Sequence, residues 1–213
     1  MFTRMITLIV SIIALTGLAF SPTAMAAEGR TEFQISVDQY AFERGLPAVP
    51  WINIPSGAAI QLPAVKEPFT SGGAMYFYSP TGKHEDGAAY IGEDAVTNLA
   101  ARSHWLAPGF IAAHEWGHSL WMLDGLDFRK QTQAFEDGAD CIAGSWLRWY
   151  TNREHIPFSL NDVFKLSDMV TAISRNEYTV LGDTHGTHWD RSVALVNGFT
   201  FGIRSCDHFK KFA

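Results

Sequence analysis

The sequence predicts an α+β domain, with a small irregular β region ahead of a mostly helical C-terminal part. Three observations predict it. Residues 28–91 are rich in Gly, Pro and Ser and break into short stretches of alternating apolar residues. From Asp94 the pattern changes to long helical segments. No internal repeat or low-complexity linker divides the chain, and residues 27–213 suffice for one well-buried domain but are short for two.

The N-terminal segment is set apart from that domain. Arg4 is followed by an apolar run from Met5 to Phe20, then by Pro and small residues ending in Ala24-Met25-Ala26. This is the pattern of a secretory signal peptide over residues 1–26. The run is about 15 residues, whereas a stable span needs roughly 20. An uncleaved N-terminal anchor is the alternative. No Cys follows the run, which argues against a lipid-anchored lipoprotein. No later segment is long and apolar enough to span a bilayer. The expected location is therefore outside the cytoplasm, periplasmic or secreted, with no stable membrane insertion after cleavage.

The elements follow in order. "TEFQISVDQY", "WINIPSG", "AMYFYSP" and "AAYIGEDA" read as short strands or extended pieces between turns. "DAVTNLAARSHWL" reads as a first helix ended by Pro108-Gly109, and "FIAAHEWGHSLWML" as a second ended by Asp124-Gly125. "QTQAFEDGADCIAGSWLRWYTN" is the third and longest, and "LNDVFKLSDMVTAIS" the fourth. "THWDRSVALVNGFTFG" is the fifth, with Thr187 as N-cap and Asp190 three residues on.

The second helix carries His114, Glu115 and His118, an HExxH pattern. Histidines four apart project from one helix face, one turn from each other. Both imidazoles can then reach one ion about 2 Å from each nitrogen. Glu115 is turned from His114 by roughly 100°, so it can lean on a water held by the metal, where a general base belongs. Ala112, Trp116, Leu120 and Leu123 form an apolar back for this helix, and Gly117 leaves room for a close neighbour. The plainer reading is a pair of surface histidines with a salt-bridging Glu.

A catalytic zinc site needs a third protein ligand, with a fourth position left for water. The third helix offers Glu136, with Asp140 four residues on and on the same face. Glu136 can ligate, and Asp140 can accept a hydrogen bond from the far nitrogen of a ligating His. Gly138, Ala139, Ala143 and Gly144 would let this helix pack close to the HExxH helix. Alternatively, Glu136, Asp137 and Asp140 are a solvated acidic face near a helix start, favoured there by the helix dipole.

Cys141 and Cys206 are the only cysteines. In an exported protein an even pair is most simply one disulfide. It would close a loop of about 65 residues, worth roughly 4 kcal/mol in the chain-entropy account. Two buried free thiols are the alternative. Cys141 as a metal ligand is disfavoured, because neither Cys has a second Cys or His at the short spacing of structural zinc sites.

Taken together, "IAAHEWGHSL", "FEDGADCIAG" and "DTHGTHWDRSVALVNGFTFGIRSCDHF" resemble the bacterial neutral zinc metallopeptidases, zincins with HExxH and a downstream Glu ligand. The resemblance covers about residues 71–209, and "MYFYSP" and "AAYIG" also resemble the family's strand region. Relatives often carry a further Cys pair near that strand region, where this chain has Ser79. The resemblance implies a zincin-like metallopeptidase fold binding one Zn2+. It implies that His114, His118 and Glu136 are the zinc ligands and Glu115 the catalytic base. Asp140 fits the supporting role behind a ligand, and Cys141 and Cys206 the disulfide.

His185 sits in the turn "GDTHGTH" before the fifth helix. It is a candidate donor to the oxyanion of a tetrahedral intermediate, or else a loop histidine bracing the site. Arg191 can serve the same purpose or pair with Asp140. His84, His104, His155, His188 and His208 have no motif support and read as surface or structural. The upstream "GAAYIG" segment is placed to act as an edge strand that pairs with an extended substrate.

The formal net charge is -6 with no basic run, which argues against nucleic acid as a partner. The implied partner is a peptide or protein substrate. Two other readings stand beside it: a catalytically silent zinc-binding or scaffold protein of the same fold, and a zinc amidase acting on cell-wall material.

Overall fold

A computed structural model describes residues 30–62, 67–77, 87–126, 133–174 and 187–211. The expectations for the signal segment (residues 1–26), Ser79, His84 and His185 fall outside the described residues.

The first element corrects the sequence reading. "TEFQISVDQY" was expected to be extended; instead Glu32–Glu43 forms helix α1. Phe33, Ile35 and Val37 alternate as in a strand, but Phe33, Val37, Tyr40 and Ala41 also keep helical spacing. The start signal decides between the two periods. Thr31 Oγ1 accepts from Gln34 N at 3.2 Å, and Gln34 Oε1 accepts from Thr31 N at 2.8 Å. This reciprocal capping box satisfies two backbone donors that a helix start otherwise leaves open.

Five short strands follow: β1 Trp51–Ile54, β2 Ala59–Ile60, β3 Phe69–Thr70, β4 Ala74–Phe77 and β5 Ala88–Gly92. The order β1-β5-β4 makes a small mixed sheet, with β1 parallel and β4 antiparallel to β5. β2 and β3 pair separately as an antiparallel ribbon. The expected edge strand is therefore the central one. Both sides of β5 are hydrogen-bonded to other strands, so it has no edge to offer a peptide. Its run of Ala88, Ala89, Ile91 and Gly92 is buried, as suits a strand covered on both faces.

Helix α2 spans Glu93–Arg102 and helix α3 Ala107–Leu123. The break falls earlier than the sequence reading placed it. Pro108 lies in the first turn of α3, where its missing N–H costs nothing, and so opens this helix. α3 is buried from Ala107 to Trp121 apart from Ile111, and it is the central helix of the core. Its apolar back is as expected at Ala112, Trp116 and Leu120, but Leu123 is 45% exposed at the helix end.

Helices α4 Gln133–Arg153, α5 Leu160–Ser174 and α6 His188–Phe201 follow. Thr187 and Asp190 form the expected capping box at the start of α6. A 3-10 segment, Ile203–Lys211, ends the described chain. Trp116, Trp121 and Trp146 are fully buried where α1, α3 and α4 meet. Two of their indole N–H groups are satisfied: Trp116 Nε1 donates to Pro47 O at 2.9 Å, and Trp146 Nε1 to Ser36 Oγ at 3.2 Å.

Small residues set how closely the helices approach. A Cβ on Gly117 of α3 would lie 3.0 Å from Ala139 Cα of α4, so these two backbones are in contact. Gly144 does not serve this contact, contrary to the sequence reading. A Cβ there would lie 2.2 Å from Leu195 O of α6, while one on Gly198 of α6 would lie 1.8 Å from Cys141 O of α4. α4 is thus clasped between α3 and α6. The Cys141–Cys206 disulfide, with Cα atoms 5.5 Å apart, pins the 3-10 segment onto the same helix.

Candidate metal centre

The clasp brings the candidate ligands together. His114 and His118 stack along one face of α3, and Glu136 faces them from the first turn of α4. All three are buried, and one ligand atom from each lies within 4.8 Å of the others. His118 Nε2 and His114 Nε2 are 3.0 Å apart. Glu136 Oε2 is 3.4 Å from His114 Nε2, and its Oε1 is 3.7 Å from His118 Nε2. Glu136 and Asp140 are therefore not a solvated acidic face, and the two histidines are not surface groups.

These separations test the fit of an ion. Donors placed tetrahedrally about 2.0–2.1 Å from zinc lie roughly 3.3 Å from one another. The three observed spacings bracket that value, and two imidazoles with one carboxylate are a donor set suited to zinc.

Behind His114 the geometry is more specific. His114 Nδ1 donates to Asp140 Oδ1 at 2.9 Å. Arg191 of α6 donates through Nε to Asp140 Oδ2 at 2.6 Å and through Nη2 to Oδ1 at 2.9 Å. Burial works against the charge on Asp140, but the Arg191 cation, its hydrogen bonds and His114 together hold its pKa below the ordinary carboxylate value. An ionised carboxylate only accepts, so the proton of His114 sits on Nδ1 and its Nε2 can present a lone pair to the centre. Of the two roles open to Arg191, the structure shows the pairing with Asp140.

The protein groups alone hold the two imidazoles in opposite states, His114 with a proton on both nitrogens and His118 neutral; an ion would take the place of the proton on His114 Nε2. Burial would lower the His114 pKa, yet hydrogen bonds to Asp140 and Glu136 and their charges raise it to about 10. Burial lowers His118 to about 3, with Glu136 opposing and the charge of His114 assisting. Next to them, burial and then the charges of Asp140 and Asp190 raise Asp137 to about 7.

Glu115 is buried on α3 beside His114. His104 proves structural: its Nδ1 accepts from Leu106 N at 3.2 Å, just before α3. The sequence reading missed Phe135, whose ring stacks on His118 with centroids 4.8 Å apart and planes at 15°. Its only signal was its place next to Glu136. His118 Nδ1 has no hydrogen-bond partner among the described residues. The Phe135 ring on one side and the His114 ring, edge-on with centroids 4.5 Å apart, pack against that imidazole.

Compared with protein-family models, curated proteins and solved structures, the chain finds no match. Among the described residues, no helix is long and apolar enough to cross a membrane.

Proposed function

We propose that the chain is an exported zinc-dependent metallopeptidase of the zincin type, with His114, His118 and Glu136 as ligands of one ion. The observation that carries this reading is the buried convergence of those three side chains on one point, with Glu115 adjacent on the same helix. When bound, the ion supplies a Lewis acid for the scissile carbonyl and lowers the pKa of a water.

The chain's own residues do the rest. Asp140, held ionised by Arg191, fixes the His114 ring through Nδ1. The Glu115 carboxylate takes the proton of the attacking water and passes it to the leaving amine nitrogen. Arg191 directs Nε and Nη2 at Asp140, and His185 is a candidate donor to the oxyanion. Export is supported by the disulfide, a bond that persists in oxidising compartments.

The test is metal analysis with a proteolysis assay, wild type beside Glu115→Gln. One zinc per chain in both proteins, with peptide cleavage by wild type alone, is expected. Equal cleavage by both proteins, or no bound zinc, would sink the proposal.

A further inference from the structure

The far end of α4 carries a second feature, remote from the metal centre. Trp149 follows Glu136 by thirteen residues, about 20 Å along a helix axis. Here α1, α4 and the start of the 3-10 segment border an open surface cleft of about 600 Å³. That volume is within the ordinary range for small-molecule sites. Four arginines line it: Arg44, Arg148, Arg153 and Arg204.

Their partners separate them. Arg153 is neutralised, since its Nη1 lies 2.7 Å from Glu43 Oε1, and Trp149 Nε1 donates to the other Glu43 oxygen at 2.8 Å. Arg44 sits over the Tyr40 ring, its Cζ 3.6 Å from the centroid, and its Nη1 donates to a backbone carbonyl, Tyr40 O. Arg148 donates through one nitrogen to Thr200 O. Among the described residues, Arg44, Arg148 and Arg204 have no carboxylate partner. Three uncompensated guanidinium groups around one cleft are conspicuous in a chain of net charge -6. An apolar wall stands beside them: Trp149, and Phe201, which is 72% exposed.

We propose that this cleft binds an organic phosphate, its phosphate held by Arg44, Arg148 and Arg204 and its apolar or aromatic body lying on Trp149 and Phe201. Guanidinium forks match phosphate oxygens in pairs, and Arg44 is pre-oriented by its ring. Three guanidinium groups suit a phosphate, which carries close to two negative charges as a soluble monoester and one as a lipid diester, and whose oxygens accept several of these bonds at once. The phosphate belongs to a soluble ester or to a lipid headgroup; the chemistry of recognition is the same. This site is independent of the peptidase reading.

The experiment is titration of the purified protein with phenyl phosphate by calorimetry, alongside sedimentation with phosphatidylglycerol and phosphatidylcholine vesicles. Arg204→Ala is the main variant, because Arg204 is exposed and makes no ion pair or hydrogen bond among the described residues, so the fold does not depend on those bonds. Lys165→Ala, an exposed charge on α5, controls for net charge. One phenyl phosphate per chain, weakened about tenfold or more in Arg204→Ala and unchanged in Lys165→Ala, supports a soluble ligand. Arg204-dependent binding to phosphatidylglycerol vesicles alone supports a lipid headgroup. Binding in neither arm, or equal losses in the two variants, overturns the proposal. Binding that disappears in Glu115→Gln would place the phosphate at the metal centre and overturn it as well.

Discussion

Arg191 and Asp140 meet side-on inside the core, Nε to Oδ2 at 2.6 Å and Nη2 to Oδ1 at 2.9 Å, with both side chains almost wholly out of solvent. They lie 51 residues apart in the chain and join α6 to α4. The pair does more than neutralise two charges. It fixes the carboxylate that in turn holds the ring of His114.

Removing Arg191 takes from the buried Asp140 carboxylate its cation and two of its hydrogen bonds, leaving it the bond from His114. Arg191→Ala should therefore destabilise the fold by about 3–5 kcal/mol, read from urea unfolding. Asp140→Asn should keep more of the stability but weaken zinc binding roughly 10–100-fold, because the His114 ring exchanges a charged carboxylate that only accepts for a neutral amide that also donates. A competition titration with a zinc chelator reads that change. Zinc affinity equal to wild type in Asp140→Asn would mean that Asp140 serves packing and not the metal centre.

The glycines of α3 and α6 should separate stability from metal binding. In Gly198→Ala the new Cβ would fall 1.8 Å from Cys141 O, a rigid backbone atom. The loss should reach or exceed the upper end of the usual overpacking range, about 1–3 kcal/mol. In Gly117→Ala the Cβ meets Ala139 Cα at 3.0 Å, and a small shift of α4 relieves it. The helix gains about 1 kcal/mol from replacing Gly with Ala, so stability should change little. Zinc affinity should fall, because that shift carries Glu136 away from His114 and His118. Thermal unfolding and zinc competition, run on both variants, check the contrast.

What could be read from the sequence follows the range of each interaction. His114 with His118, and Glu136 with Asp140, are pairs spaced four apart on helices, so local geometry already aims each pair along one face. Their meeting was an expectation about two helices, and the small residues Gly117 and Ala139 made it credible. Arg191 was undecided, since nothing local distinguishes a guanidinium facing substrate from one facing Asp140. α1 was misread because Phe33, Ile35 and Val37 fit a strand as well as Phe33, Val37 and Tyr40 fit a helix. β5 was misplaced at an edge because its partners on β1 lie 38 positions upstream and its own residues say nothing of neighbours. Phe135 was missed because stacking on a ligand leaves no mark on sequence spacing.

The disulfide should act on stability and little on the centre. It closes a loop of 65 residues, for which the chain-entropy account gives about 4 kcal/mol. Cys141 neighbours Asp140, yet α4 is also held by α3 through Gly117 and by α6 through Gly144 and Gly198. The double variant Cys141→Ala/Cys206→Ala should unfold at lower urea, losing about 2–5 kcal/mol, while its zinc affinity stays within a few-fold of wild type. A large drop in zinc affinity would show that the 3-10 segment, and not the helix clasp, positions Glu136.

Helix α5 offers a pH test away from the centre. The Asp162 carboxylate accepts from Ser159 Oγ at 2.6 Å and from Ser159 N at 3.0 Å, capping the start of the helix. These two bonds, the hydroxyl first, lower its pKa to about 2 from an ordinary 3.8. A carboxyl group whose pKa is lower when folded stabilises the folded state above its unfolded pKa. That contribution fades as pH falls through 3.8 and is gone below about 2. Asp162→Ala should therefore unfold at a lower temperature than wild type at pH 6, with the gap narrowing as pH falls below 4. The group is exposed, so the gap should be small. Amide hydrogen exchange over Asp162–Leu166 gives a sharper reading than the global midpoint, because fraying at one helix end opens those amides first. A gap that stays constant from pH 6 to pH 2 would show that the charge on Asp162 does not strengthen its bonds to Ser159.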